Sequence, residues 1–259
     1  MSGTEELLVS SAGGVLTCTL NRPQARNALT WAMYDGIHRA CDQVDADPDL
    51  RALVLVGAGD RAFAAGTDIA QFADFTTGQD GIDYEHKIAT VVDRLEAVDV
   101  PTVAAVRGYC VGGGLALAAA CDLRLATRGS RFGAPIAATL GNCLSSNSQS
   151  FLLLHLGPSL TNDVLLRAKM LDAEACHGVG FVNELCDDDG LEALVAEVTS
   201  TLTSHAPLTM WAAKEITRRA RRRLLVPDDD VVSRAFASDD FHRAVEAFPR
   251  RERVDWQGC

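Results

Sequence analysis

Short apolar runs alternate with amphipathic segments along most of the chain, and the period changes at turn-forming residues. Near the start, ELLVSSAGGVLTCTLNRP places two β-rich runs on either side of Gly13-Gly14, which reads as a hairpin. Thr30 is a candidate N-cap, after which Met33, Ile37, Cys41 and Val44 recur at helical spacing until DADPD stops the pattern. RALVLVGAG has the continuous apolar character of a buried strand, and AFAAGTDIAQF gives a turn followed by a short helix. The polar stretch TTGQDGIDYEH reads as a mobile loop. Ile88, Val91, Val92 and Leu95 mark an amphipathic helix ended by Asp99 and Pro101; TVAAV is then a strand, a glycine turn opens a helix, and CDLRLAT returns as a strand.

Alternation of strand and helix predicts a sheet with crossover connections. Beyond Arg131 the helical stretches lengthen: SQSFLLLHL, TNDVLLRA, LEALVAEVTSTLTSHA and a basic helix after Pro207. No repeat, low-complexity segment or linker divides the chain, although its character shifts near Leu140 to Gly157. The reading is one continuous domain, with residues 1–200 as an α/β core and residues 201–259 as a C-terminal helical part.

The 259 residues, 47% hydrophobic and 23% charged, suit a soluble globular protein with a sizeable core. No apolar run approaches the roughly 20 residues that span a bilayer, and MSGTEELLVS lacks the pattern of a secretory signal. A cytoplasmic location with no membrane contact is therefore expected. The net charge of −11 argues against nucleic acid as a partner, while leaving room for one small anion on a local basic patch. The one such patch, KEITRRARRRLL, reads as a solvated helix face. Eight cysteines stand singly with no CxxC pair and read as reduced core residues, and neither they nor the six histidines offer metal-ligand spacing. No metal and no prosthetic cofactor are expected.

The stretch CVGGGLALAAACDLRLA, from Cys110 to Ala126, changes this bland picture, because three glycines enter a helix where its unpaired N–H groups favour negative charge. Close packing of helix on strand explains small residues equally well. Neither the dinucleotide fingerprint nor a P-loop is present, so both phosphate readings drop out.

Together with NRPQARNALT from Asn21 to Thr30 and DRAFAAGTDI from Asp60 to Ile69, the glycine turn resembles the crotonase, or enoyl-CoA hydratase/isomerase, superfamily. RFGAPIA and LDAEACHGVGFVNELC extend the resemblance from about Leu8 to the C-terminal helices. It implies an α/β fold of ββα units wound into a spiral, with a helical C-terminal part that builds a homotrimer or a hexamer. It also implies an acyl-CoA thioester as ligand, coenzyme A being part of the substrate.

Matching motif to motif places the oxyanion-hole N–H groups at Thr67 and Gly113. The Thr67 side chain is then expected to be free to vary, and a side chain at Gly113 to block the thioester while leaving the fold intact. Ala65, Gly66, Asp68, Ile69, Tyr109, Gly112, Pro135 and Ile136 fall in the implied substrate segments. Ala25, Arg26 and Ala28 fall in the implied adenine-nucleotide loop, where Arg22 or Arg26 could meet a phosphate or simply be solvated. Lys214 or Arg218 would be the C-terminal basic residue that reaches CoA. Asp68 is read as a cap of the short helix, and Asp122 as structural.

The chain also departs from the resemblance. Hydratases of this kind use two glutamates for proton transfer, and the matching positions here hold Ala116 and Ile136, neither of which can move a proton. Replacement candidates are Cys143, Asn142 and Ser145 in ATLGNCLSSNS, and His86, which lies beside Tyr84 and Glu85 in a titratable cluster. Two functions remain open at this point: an acyl-CoA enzyme with a substituted proton relay, such as a hydratase, isomerase, decarboxylase or thioester hydrolase, or a non-catalytic acyl-CoA-binding protein.

Overall fold

Gly13 and Gly14, both at positive φ, close the first hairpin in the computed structural model, which describes residues 2–259. They join β2 (Leu7–Ala12) to β3 (Val15–Leu20), with β1 (Ser2–Thr4) antiparallel to β2 at the edge. Helix α1 (Trp31–Ala46) begins where Thr30 caps it, its hydroxyl accepting from the Met33 N–H at 3.3 Å.

A three-part unit then recurs. A strand in a large sheet leads to a strand in a small sheet and then to a helix: β4 (Ala52–Gly57), β5 (Ala62–Ala64) and α2 (Gly78–Glu96), followed by β6 (Thr102–Val106), β7 (Tyr109–Val111) and α3 (Gly113–Ala120). The third unit is β8 (Leu123–Thr127), β9 (Arg131–Gly133) and α4 (Ile136–Thr139), continued by α5 (Ser146–Leu166), which breaks at Gly157-Pro158. Next come β10 (Leu171–Asp172), α6 (Ala173–Gly178) and β11 (Glu184–Cys186), then four helices: α7 (Leu191–Ser204), α8 (Pro207–Arg222), α9 (Asp229–Phe236) and α10 (Asp239–Ala247).

The large sheet has the order β1-β2-β3-β4-β6-β8-β11 and is parallel from β3 onward; the small sheet runs β10-β9-β7-β5. This is the expected spiral of ββα units. Period-2 alternation sorts the strand residues: Leu53, Leu55, Ala104, Val106 and Ala126 face the main core, while Val54, Val103, Ala105 and Leu125 face a second core that includes Leu191 of α7. Val232, Phe236 and Phe241 from α9 and α10 join the main core, so early and late segments of the chain build it. Among the described residues no helix is long and apolar enough to cross a membrane.

Two sequence expectations need correction. The supposed loop TTGQDGIDYEH is mostly helix, because Thr77 and Asp80 form a capping box that starts α2 at Gly78. The glycines there mark contact with α9: a Cβ on Gly78 would lie 2.2 Å from Ser233 Oγ, and one on Gly81 would lie 2.3 Å from Phe236 Cγ. The basic helix α8 is not merely a solvated face. Arg221 is buried, donating to Asn147 Oδ1 (2.8 Å) and Ser150 Oγ (2.7 Å) and pairing with Glu96. Five cysteines are buried as expected; Cys143 and Cys186 are half-buried, and Cys259 is exposed.

Gly81→Ala gains roughly 1 kcal/mol of helix propensity but overpacks the α2–α9 contact, at a cost of about 1–3 kcal/mol that falls at the upper end because Phe236 is fully buried. Urea unfolding should show a net loss of stability, and the same substitution in a Phe236→Ala background should be neutral or stabilising.

Candidate active site

Two backbone crossings meet at the start of α3. Gly66 (φ 102°) and Gly112 (φ 53°) hold conformations that side-chain-bearing residues rarely adopt, and a Cβ on Gly112 would stand 3.6 Å from the Gly66 Cα. The segment before Gly66 is fixed from below by Asn27, itself at positive φ and fully buried, whose amide donates to the Ala58 and Ala62 carbonyls (3.0 and 2.7 Å). Leu29 N–H donates to Gly66 O (2.8 Å) and Asp68 N–H to Leu29 O (2.9 Å). In a parallel bridge of that form, the Thr67 N–H points away from Leu29. Among the described residues, neither the Thr67 nor the Gly113 N–H donates to another protein group.

Both residues line one cavity of about 130 Å³, with Ala65, Gly66, Ile69, Gly112, Pro135, Ile136 and Asn142 among its other walls. Phe72, Tyr84, Leu140, Leu144 and Phe248 make most of the remainder apolar. The Asn142 Oδ1 is buried without a hydrogen-bond partner among the described residues, so it is free to meet a ligand donor.

The Thr67 side chain is not free to vary. Its hydroxyl is hydrogen-bonded to the Tyr34 hydroxyl at 2.9 Å and to the Tyr84 hydroxyl at 2.7 Å, which ties the 66–67 turn to α1 and α2. Burial raises both phenols above their ordinary value, so they remain protonated. Gly113 also differs from expectation, because its Cβ direction points into the core: the added atom would lie 2.4 Å from the Tyr34 hydroxyl. A side chain there would displace Tyr34 rather than spare the fold.

Sequence reasoning named Glu85 only as a neighbour of His86, yet of that cluster it is the carboxyl that reaches the site. It lines the cavity, is only 4% exposed, and its Oε2 accepts the Ser145 N–H at 3.0 Å. Burial pushes its carboxyl up to about 7, opposed by hydrogen bonding from Ser145 and reinforced by the Asp228 charge. Its neighbour His86 points outward to Asp229 (2.9 Å) and does not reach the cavity. Cys143 is not among the lining residues, and burial pushes its thiol up to about 12, which leaves it protonated and unreactive. Ser145 acts through its backbone N–H, on Glu85. The missed signal lay in helical phase: carried back from Ile88, the apolar stripe of α2 includes Tyr84 and Glu85 and turns His86 outward.

The cavity adjoins an open cleft of about 1020 Å³, and Thr139 and Phe248 line both. Ala25, Arg26, Arg61, Arg251 and Arg253 line the cleft, and none of these four guanidiniums has a carboxylate partner among the described residues. The other expected binding residues sit elsewhere. Arg22 is held by Glu6, Asp68 and the Ala28 carbonyl, and Asp68 caps the short 3-10 turn after it. Ala28 and Tyr109 line neither space. Lys214 is locked to Asp122 and the Val100 carbonyl, where Asp122 also accepts from Thr102, so its structural role holds; Lys214 and Arg218 line a separate cavity at the far end of α3. Among the described residues no group of three His, Cys, Asp or Glu could hold a metal ion.

Known proteins share this architecture and sequence. The family profile described as enoyl-CoA hydratase/isomerase matches residues 10–258. A 2,3-dehydroadipyl-CoA hydratase of Escherichia coli (strain K12) is 30% identical over 257 residues, covering 98% of this chain and 99% of the relative. The crystal structure of an enoyl-CoA hydratase/isomerase from Xanthobacter autotrophicus Py2 aligns with a TM-score of 0.85 at 27% identity, covering 96% of this chain and 94% of that one. A methylmalonyl-CoA decarboxylase in complex with 2-nitronate-propionyl-CoA aligns over the whole of both chains with a TM-score of 0.90, and at 20% identity that likeness concerns the fold.

Thr67→Val strands two buried phenol hydroxyls, at about 1–3 kcal/mol each. Thermal and urea unfolding should show the valine variant less stable by roughly 2–6 kcal/mol, with Thr67→Ser close to the parent. Equal stability of the two variants would contradict the bridging role of Thr67.

Proposed function

The chain belongs to the enoyl-CoA hydratase/isomerase family and has the crotonase-like fold, and on that premise we propose that it is an enzyme acting on a short acyl-CoA thioester. The Thr67 and Gly113 N–H groups are its oxyanion hole, stabilising an enolate-like intermediate. The observation that carries this reading is that Thr67 and Gly113, whose amides have no partner among the described residues, line one small cavity that continues into an arginine-lined cleft.

Each half of the ligand has a matching environment. The nucleotide and pyrophosphate of CoA are polyanionic and meet Arg26, Arg61, Arg251 and Arg253 in the cleft, a local reversal of sign on a chain of net charge −11. Trp256, also in the cleft wall, offers an aromatic face. The acyl group enters the apolar cavity, whose volume of about 130 Å³ lies well below the roughly 300–1,000 Å³ of pockets that hold drug-sized ligands, and so favours a short chain.

Charge develops on the thioester oxygen when a proton leaves Cα or a nucleophile adds at Cβ. Fixed N–H donors stabilise that oxygen without reorganising, an effect of about 3–4 kcal/mol for one donor. Ile136 lines the cavity and Ala116 is buried in α3, so the two-glutamate hydration mechanism has no carboxyl at either of its usual positions. The same reading takes the protein as a homotrimer or dimer of trimers. Leu208, Trp211 and Ile216, at 77, 42 and 69% exposure on α8, supply apolar surface for such contacts.

Calorimetry should show butyryl-CoA binding that weakens with added salt, and decanoyl-CoA binding more weakly than butyryl-CoA. Arg26→Ala and Arg253→Ala should each cost about tenfold in Kd, or roughly 1.4 kcal/mol. Turnover of any member of a thioester panel, followed by mass spectrometry, supports the enzyme; binding with no product across the panel makes the chain a binding protein instead.

A further inference from the structure

The acyl-CoA reading leaves the proton unassigned. Among the residues lining the 130 Å³ cavity, Glu85 is the single carboxyl, and no histidine, lysine or cysteine lines it. A buried carboxyl is costly unless it is paired, yet no cation pairs with Glu85 among the described residues. Among the described residues its carboxylate accepts the Ser145 N–H at the start of α5. A glutamine could accept that bond without the cost of a buried charge. We propose that Glu85 is the group that removes and returns the proton at Cα of the bound thioester.

This inference rests on the acyl-CoA reading and adds the missing base to it. The Glu85 carboxylate takes the Cα proton. The C–H electron pair becomes the C=C of the enolate, and the carbonyl π pair moves to the thioester oxygen, where the Thr67 and Gly113 N–H groups hold it. Neutral Glu85 then gives the proton back. Return to Cα restores the substrate, and return to Cγ of a β,γ-unsaturated acyl group shifts the double bond. No other reactant is consumed.

The surroundings keep both forms of Glu85 accessible. Burial raises its carboxyl to about 7; the Ser145 N–H and His86 on α2 pull it down, and Asp228, in the link between α8 and α9, pushes it up. The phenols of Tyr34 on α1 and Tyr84 on α2, and the Cys143 thiol ahead of α5, are close enough to feel the charge of the same carboxyl and stay protonated because burial raises each of them. A carrier that titrates near neutrality holds useful populations of base and acid at once.

The raised value also fixes a sign for stability. Between the ordinary glutamate value of 4.5 and about 7 the folded state holds more of this proton than the unfolded chain does, so the stability tied to Glu85 falls as pH rises through that window.

The test is hydrogen–deuterium exchange at Cα of butyryl-CoA in D₂O, read by mass spectrometry, with calorimetric binding measured in parallel. The wild-type protein should exchange, at a rate rising with pH through an apparent pKa near 7. Glu85→Gln should exchange at least about 100-fold more slowly with Kd little changed, and Glu85→Asp should retain part of the rate. Glu85→Gln should also lose the fall in thermal stability between pH 5 and pH 8, a readout that needs no substrate. Exchange by Glu85→Gln at the wild-type rate, or a wild-type protein that binds butyryl-CoA and does not exchange, overturns the assignment of Glu85 and leaves the acyl-CoA reading standing. Failure of the folded protein to bind any thioester overturns both.

Discussion

A helix buried on every side, α3, sets the geometry on which the site depends. Its residues from Gly114 to Ala120 are all buried, so it cannot rotate to expose a polar face, and its two ends meet different partners. At the C-terminal end the buried Arg124 guanidinium donates to the Cys121 (2.6 Å) and Ala118 (3.3 Å) carbonyls and supplies the cation that helix ends favour. At the N-terminal end no protein group takes the Gly113 N–H among the described residues. Rigid packing at one end thus holds an unpaired donor at the other, beside a turn that Asn27, Leu29 and the Tyr34–Thr67–Tyr84 hydroxyls fix independently.

Much of the fold was legible because it follows from local rules. The Thr30 cap, the Gly13-Gly14 hairpin, the apolar strands β4, β6 and β8 and the glycine turn before α3 are each written within a few neighbouring residues. The start of α2 was not. Gly78 and Gly81 resemble loop punctuation in sequence, but they are small because Ser233 and Phe236, about 155 residues later in the chain, press against them. A helix begun only at Ile88 gives Glu85 and His86 no phase, and the earlier start at Gly78 is what turns Glu85 inward and His86 outward.

Side-chain direction was the other illegible quantity. The motifs placed Thr67 and Gly113 on one cavity, yet could not say that the Thr67 hydroxyl is bound at both sides or that a Gly113 side chain would strike Tyr34. Nor did any local pattern mark Arg251 and Arg253 as walls of the cleft, because their position depends on how α10 and the chain after it return across the molecule. Lys214 and Arg218, which had the stronger compositional signal, were turned to the opposite end of α3 by the Asp122 and Glu215 carboxylates.

The contact of α2 with α9 has a temporal side. Phe72, Tyr84, Phe236 and Phe241 form one aromatic wall, and Phe248 borders both the cavity and the cleft, so the pocket combines segments made early and late in translation. In a chain made from its N-terminus every strand precedes α9, the helix that covers Gly78 and Gly81. The cavity is therefore walled only once α9, α10 and Phe248 have docked on segments about 150 residues earlier in the chain.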